Sequence, residues 1–323
     1  MQPIKVDVHL QPDWWRTTLE QEIRDGLGAE TKALSPKWFY DEVGSELFDE
    51  ITKLDEYYPF RAEREILNNY SKEIVAASGA DTLVELGSGT SEKSRVLLDA
   101  MQAYGSLKRY VPFDVSEEML RWAAGDIQTA YDGVDVHGIV GDFHRHIPLL
   151  PIGGTGMVAF LGSTIGNFDP SIRKQLLADI STALDPGGTF LVGTDLVKDP
   201  DRIWSAYNDA AGVTARFNLN MLTMLNRELN ANFELDQYEH VADWNDVDHW
   251  IDIRIRSKAA QTVNIADLDM TIDLASGEEI RTEISAKFTL DGIAHELDSH
   301  GMTVVGQWTD TRNDFGVTLA RKV

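Results

Sequence analysis

The chain has 323 residues, 43% hydrophobic and 25% charged, which is ordinary for a globular protein with room for one large or two medium domains. Its 53 acidic and 29 basic residues give a net charge of −24, so neither nucleic acid nor an anionic membrane is an expected partner. The absence of cysteine excludes disulfides, thiol catalysis and cysteine-ligated iron–sulfur clusters, and with no apolar signal core or bilayer-length apolar run the expected location is the cytoplasm.

In chain order, residues 1–35 read as a polar lead-in and then a helix, because Leu19, Ile23 and Leu27 recur on one helical face. Ser35-Pro36 opens an aromatic loop holding Trp38, Phe39 and Tyr40. A helix beginning at Gly44-Ser45 follows, with Leu47, Phe48 and Ile51 as its apolar face. Pro59 biases Tyr58 away from helix and makes the YYP segment a rigid, extended turn. A third helix over 61–77 has Ala62, Ile66, Leu67, Tyr70 and Ile74 on one side. Trp38 and Phe39 read as packing residues. Tyr40 and Tyr57 carry phenols that need a hydrogen-bond partner if buried, and their rings can line a pocket for a cationic amine.

Residues 81–93, DTLVELGSGTSEK, are the stretch on which the fold turns. An apolar strand over Thr82–Leu86 feeds the turn Gly87-Ser88-Gly89, and Thr90 or Ser91 can cap the helix after it. Glycines let backbone N–H groups approach a ligand closely, and a helix N-terminus favours a carboxylate or phosphate. A dinucleotide fingerprint needs a glycine where Glu92 stands, and Glu92 has the wrong charge for a pyrophosphate. Lys93 can instead reach a single carboxylate. With Glu85 two positions before the first glycine, the pattern resembles motif I of the class I S-adenosylmethionine (SAM) methyltransferases, whose ligand is a cation with one carboxylate and no phosphate.

From residue 81 strands and helices alternate, as in a doubly wound parallel sheet. The strand RYVPFD ends on Asp114, placed to accept from both ribose hydroxyls, and Ser116 caps the next helix. A strand over 134–140 leads to Asp142, an acceptor for an adenine amino group, and Phe143, a ring to pack on it. His144 and His146 form an H-x-H pair with no third ligand; they, His240 and His249 are expected to be solvent-exposed, and no metal is expected. A fourth strand over 157–161 precedes GSTIGNF, whose Gly162 allows close approach and whose Asn167 offers donors and an acceptor. After LDPGGTFLV, the fifth strand, the rhythm changes. Helices over 201–211 and 220–230 and alternating segments over 250–255 and 263–272 read as an inserted substrate domain. The chain is expected to return to the sheet over 283–288 and to close it with an antiparallel pair over 302–307 and 315–320.

Several segments together resemble the histidine-specific Nα-methyltransferases of ergothioneine biosynthesis: SPKWFYDEVGSELFDEITKLDEYYPFRAEREIL, LVELGSGTSEKSR, FLGSTIGNF, GTDLVKD, AYNDAAGVTARFNLN and QWTDTRNDFGVTLA. The resemblance covers the chain from about Ser35 to Ala320; YYPFR departs from the expected YYPTR at Phe60 and spares both tyrosines. It implies an α/β fold, a class I Rossmann-like mixed sheet with a second, inserted α+β domain. SAM binding is expected in 62–195 and 288–323, and substrate binding in 1–61 and 196–287. It implies a monomer that converts L-histidine to hercynine with three SAM per product. It places SAM on Gly87, Lys93, Asp114, Asp142 and Phe143, and histidine on Tyr57, Gly162, Asn167, Tyr207, Glu283 and Ser285, with Tyr40 and Tyr57 beside the amine. Other readings stand beside it: a methyltransferase for tyrosine, tryptophan or an alkaloid amine, a nicotinamide oxidoreductase, and a SAM-binding module without catalysis.

Overall fold

The computed structural model describes residues 4–89 and 91–323. In chain order the elements are β1 (Lys5–Val8), α1 (Trp14–Gly28), α2 (Glu42–Thr52), α3 (Pro59–Ser78), β2 (Thr82–Leu86), α4 (Glu92–Tyr104), β3 (Arg109–Asp114), α5 (Glu117–Ala130), β4 (Asp135–Val140), α6 (Phe143–His146), β5 (Gly156–Phe160), α7 (Pro170–Ala183) and β6 (Thr189–Asp195). They continue as α8 (Pro200–Tyr207), α9 (Val213–Leu229), β7 (Tyr238–Asn245), β8 (Trp250–Ser257), β9 (Gln261–Ile265), β10 (Met270–Leu274), β11 (Glu279–Ala286), α10 (Leu290–Asp298), β12 (Met302–Thr309) and β13 (Phe315–Lys322). The chain divides into two compact units: Met1–Gln11, Pro59–Val197 and Lys287–Val323 form the first, and Pro12–Tyr58 and Lys198–Ala286 the second.

The first unit is built on an eight-stranded sheet of order β1-β4-β3-β2-β5-β6-β13-β12. It is parallel from β1 to β6, and β13 and β12 add an antiparallel pair at one edge. Strands β2, β5 and β6 are buried at every position, which is why they read as apolar runs rather than as alternations. Strand order reverses at β2, which has β3 on one side and β5 on the other. Ligands of open α/β sheets bind at the carboxyl ends of strands beside such a reversal. This is the mixed class I sheet that the sequence led us to expect. Pro59 stands at the first position of α3, where the missing N–H has no helical partner to lose.

One expectation fails here. The lead-in is not merely polar coil: Lys5–Val8 pair in parallel with His137–Val140, so the N-terminus belongs to the sheet of the first unit. A four-residue edge strand is too short to carry a periodic signal, and its partner lies far away in sequence. The return itself falls within the expected 283–288. Strand β11 stays in the second unit and pairs antiparallel with β8, and the chain re-enters the first unit at Lys287.

The second unit combines α1, α2, α8 and α9 with a three-stranded antiparallel sheet, β11-β8-β7, and a hairpin, β9-β10. The hairpin splits the segment read as one run over 263–272, with a turn at Ala266–Leu268. The core joins Leu19, Ile23 and Leu27 of α1 to Phe39, Ile51, Phe217, Met221 and Leu225. Among the described residues no helix is long and apolar enough to cross a membrane.

Candidate active site

The candidate residues fall into two groups, one in each unit. In the first unit they lie at the carboxyl ends of β2 to β5. Gly87 has φ of +68°, and a Cβ there would stand 3.3 Å from the Phe143 ring, so glycine both makes the turn and leaves space in front of that ring. Phe143 stacks on Phe113 with centroids 5.4 Å apart. Asp114 at the end of β3 accepts from Gly89 N at 2.9 Å and from Ser116 N at 3.0 Å. Burial raises its pKa from the ordinary carboxylate value, against the pull of those backbone donors. Asp142 lies in the loop between β4 and α6, where its N–H donates to His146 Nδ1 at 2.9 Å.

Glu85 is a fully buried carboxyl that accepts from the Tyr110 phenol, and burial pushes its pKa up to about 7. Thr90, one of two candidate helix caps, lies outside the described residues. Ser91, the other, is left-handed (φ 55°) and makes no side-chain cap; its hydroxyl lies 2.8 Å from the Tyr110 phenol oxygen instead.

Lys93 meets a partner that sequence reasoning missed. Its ammonium pairs with Glu63 of α3, which has no exposed surface, and stands 5.0 Å from the centre of the Phe60 ring. Glu63 also accepts from Gly162 N, at 2.7 and 2.9 Å to its two oxygens. Space for it comes from Gly193, where a Cβ would lie 2.1 Å from Glu63 Oε1. One buried carboxylate thus holds the helix after the glycine turn and the loop after β5. An ammonium has three donors, so the pair leaves Lys93 capacity for a ligand carboxylate. Asn167 closes the short turn Thr164–Asn167 on the same loop.

The group suits SAM. The cradle that a Cβ at Gly87 would fill, the acceptor Asp114 and the cation Lys93 match a nucleoside, its ribose and an amino-acid carboxylate.

In the second unit the candidates form a line of aromatic contacts. Tyr40 meets Phe48 edge-on with centroids 5.5 Å apart, Phe48 meets Tyr57 at 6.2 Å, and Tyr57 meets Tyr207 at 6.4 Å. Tyr207 Oη and Ser285 Oγ are 2.7 Å apart. Burial holds the Tyr40 phenol well above its ordinary pKa, and the negative charge of Glu283 adds to this. Half of the Tyr40 surface nonetheless meets solvent, the combination given by a ring lining a concavity. Tyr40, Tyr57, Tyr207, Glu283 and Ser285 therefore gather in one region, although they come from four separate stretches of sequence.

The histidines depart from expectation. His146 stacks on His9 with centroids 5.6 Å apart, and burial lowers its pKa. His240 is not solvent-exposed: Asn218 Nδ2 lies 2.9 Å from its Nδ1, and the Tyr207 carbonyl lies 2.9 Å from its Nε2. His249 is exposed, and the side chain of His144 lies outside the described residues. Among the described residues no three His, Cys, Asp or Glu converge as metal ligands would.

Comparison with known proteins adds to this geometry. A family described as histidine-specific methyltransferase, SAM-dependent, matches residues 19–322. The chain is 50% identical over 312 residues to the histidine N-alpha-methyltransferase of Mycolicibacterium smegmatis, covering 97% of each chain. It is 48% identical over 319 residues to the histidine N-alpha-methyltransferase of Mycobacterium tuberculosis, covering 99% of each. Ergothioneine biosynthesis protein 1 of Neurospora crassa is 30% identical over 291 residues, which are 88% of this chain and 32% of that protein.

Proposed function

Because the chain belongs to the histidine-specific, SAM-dependent methyltransferase family, we propose that it methylates the α-amine of L-histidine three times, giving hercynine in the first step of ergothioneine biosynthesis. The observation that carries the reading is the gathering of Tyr57, Tyr207 and Ser285, with Glu283 close enough to act on Tyr40, in a chain half identical to curated histidine methyltransferases.

SAM would supply a methyl group on a sulfonium: the neutral amine's lone pair forms the N–CH3 bond in line as the S–CH3 bond breaks, its electrons leaving on sulfur as the neutral thioether S-adenosylhomocysteine. Nothing covalent is asked of the protein, so positioning and electrostatics dominate. Asp114 would hold the ribose hydroxyls, Lys93 the methionyl carboxylate, and Asp142 and Phe143 the adenine, packed beside Gly87. Glu283 and Ser285 would take the two imidazole nitrogens, Tyr207 and Asn167 the substrate carboxylate. Gly162 would offer backbone to the substrate.

The amine must lose its proton before each transfer. The Tyr40 phenol, raised well above 10, stays neutral at any working pH. It does not hold the proton; it passes it to water through its hydroxyl. A tyrosinate would instead stabilise the ammonium and slow the reaction. The faces of Tyr40 and Tyr57 tolerate the quaternary ammonium left after the third transfer. The enzyme works in this reading as a cytoplasmic monomer, a state that light scattering of the purified protein checks.

The test is mass spectrometry of the protein with L-histidine and SAM. Mono-, di- and trimethylated histidine are expected, and Nα,Nα-dimethylhistidine is expected to be a substrate itself. Methylation of tryptophan or tyrosine with none of histidine would overturn the substrate. Rejection of dimethylhistidine by an enzyme that methylates histidine would overturn trimethylation.

A further inference from the structure

Strand β11 changes register between Arg281 and Glu283: Arg281 faces Arg254, Glu283 faces Ile253, and Thr282 is the extra residue of a bulge. Bulges re-aim the side chains that follow them. Here burial alternates up to Glu283, and then Ile284, Ser285 and Ala286 are all buried.

The bulge is pinned from behind. Thr282 is fully buried, and its hydroxyl lies 2.7 Å from Asn218 Oδ1 and 3.1 Å from the Ile253 carbonyl. Asn218 on α9 is 1% exposed, and its Nδ2 lies 2.9 Å from both the Arg254 carbonyl and His240 Nδ1. His240 Nε2 lies 2.9 Å from the carbonyl of Tyr207, the last residue of α8. The Tyr207 phenol then meets Ser285, which follows Thr282 by three positions. The contacts close into a ring.

The proton positions in the ring follow from its fixed ends. Backbone carbonyls only accept, so Nε2 of His240 carries the proton towards Tyr207 and the Asn218 amide N–H groups point at Arg254 and His240. Nδ1 of the neutral imidazole is then the acceptor, and Oδ1 of Asn218 is left to receive the Thr282 hydroxyl. Each donor of Thr282, Asn218 and His240 has an acceptor. Burial lowers the pKa of His240, which keeps it in the neutral form this pattern requires. The Tyr207 carbonyl stands at a helix end, where His240 donates to it.

We propose that Thr282, Asn218 and His240 are positioning residues for histidine recognition: their hydrogen-bonded ring fixes Tyr207 at both its carbonyl and its phenol, and fixes the bulge that aims Glu283 and Ser285. The inference rests on the reading that those three residues hold the substrate. A ring satisfied in only one arrangement presents one arrangement of the residues it supports. Ordering them before the substrate arrives removes that cost from binding.

The test compares variants by steady-state kinetics for L-histidine, by SAM titration and by thermal melting. Thr282→Val is isosteric and removes the hydroxyl. It should raise the KM for L-histidine about tenfold or more, leave SAM affinity within twofold, and change kcat less than threefold. Thr282→Ser keeps the hydroxyl and should restore KM to within threefold. His240→Asn reaches the Nδ1 position but not Tyr207, and should raise KM as Thr282→Val does; His240→Gln reaches the Nε2 position and should retain most of the wild-type KM. These two carry the test if Thr282→Val does not fold. A lower Tm with an unchanged KM would show the ring to be structural only and overturn the proposal. Tyr207→Phe and Ser285→Ala are measured alongside. If they raise KM and the ring variants do not, the proposal alone falls; if they leave KM unchanged, the substrate-site reading falls and takes the proposal with it.

Discussion

Replacing Glu63 by glutamine tests how the first unit holds its two loops. The carboxylate is fully buried, and it meets two donors, the Lys93 ammonium and the Gly162 N–H. Glutamine is nearly isosteric but has one acceptor and one donor end. Whichever way the amide turns, its NH2 faces a donor, either the ammonium or the backbone N–H. Breaking a buried pair costs about 3–5 kcal/mol. Lys93 keeps 19% of its side chain exposed and can recover some hydration, so the expected loss is about 2–4 kcal/mol. In a chain of this size that corresponds to a fall in Tm of about 3–6 °C. The assay is urea denaturation of wild type, Glu63→Gln, Lys93→Met and the double variant. In the double variant the amide oxygen is free to serve Gly162 alone, so the two losses should fall short of additivity by about 2 kcal/mol. A Glu63→Gln protein within about 0.5 kcal/mol of wild type, or strictly additive losses, would refute the reasoning.

Three further outcomes are expected. Asp114→Ala removes the proposed ribose acceptor and the partner of Gly89 N, and should weaken SAM binding by about 1.5–3 kcal/mol in calorimetric titration; unchanged affinity would count against Asp114 as a SAM ligand. Glu283→Ala should cost about 2–4 kcal/mol in kcat/KM for L-histidine, leave SAM binding intact and improve tryptophan and phenylalanine relative to histidine; an unchanged preference would make Glu283 a surface charge. Glu85 titrates at about 7 in the native chain against 4.5 ordinarily, so between those values the native state binds more protons and its stability falls as pH rises, by up to about 3 kcal/mol. Glu85→Gln should flatten that slope in denaturation curves taken from pH 4.5 to 7.5, and a slope it leaves untouched would show that Glu85 is not the group responsible.

Much of the first unit was legible because its signals are local. RYVPFD announces both a strand and the acidic residue at its end, and the structure has that strand over Arg109–Asp114. The glycine turn is equally plain, since Gly87 and Gly89 both adopt positive φ. What was not legible depends on distant partners. β1 finds its place only through β4, and the bulge at Thr282 only through β8. Glu63 and Asn218 did leave a signal that went unread. Glu63 lies on the helical face of Leu67, Tyr70 and Ile74, and Asn218 on that of Leu222, Leu225 and Leu229. A charged or amide residue in the middle of an apolar stripe announces a buried partner, because leaving it unpaired there costs more than the fold can bear.

The same logic joins features of the first unit that look separate. The chain leaves β6 and returns at Lys287 beside it: Leu196 bridges Phe288, and Asp195 and Lys287 form a buried ion pair at 3.0 Å. A buried pair is about neutral for stability against apolar residues of the same shape, so stability does not account for this one. Its neighbours do. The Asp195 N–H donates to Ser163 Oγ at 2.9 Å, Ser163 adjoins Gly162, and Gly162 N–H donates to Glu63, which pairs with Lys93. The point where the second unit is inserted, the loop after β5 and the helix after the glycine turn thus lie along one line of buried polar contacts. Each group in that line has its partner's position dictated by charge or by a hydrogen bond, where an apolar contact would permit sliding. A methyl transfer that relies on alignment alone needs its loops fixed in this way.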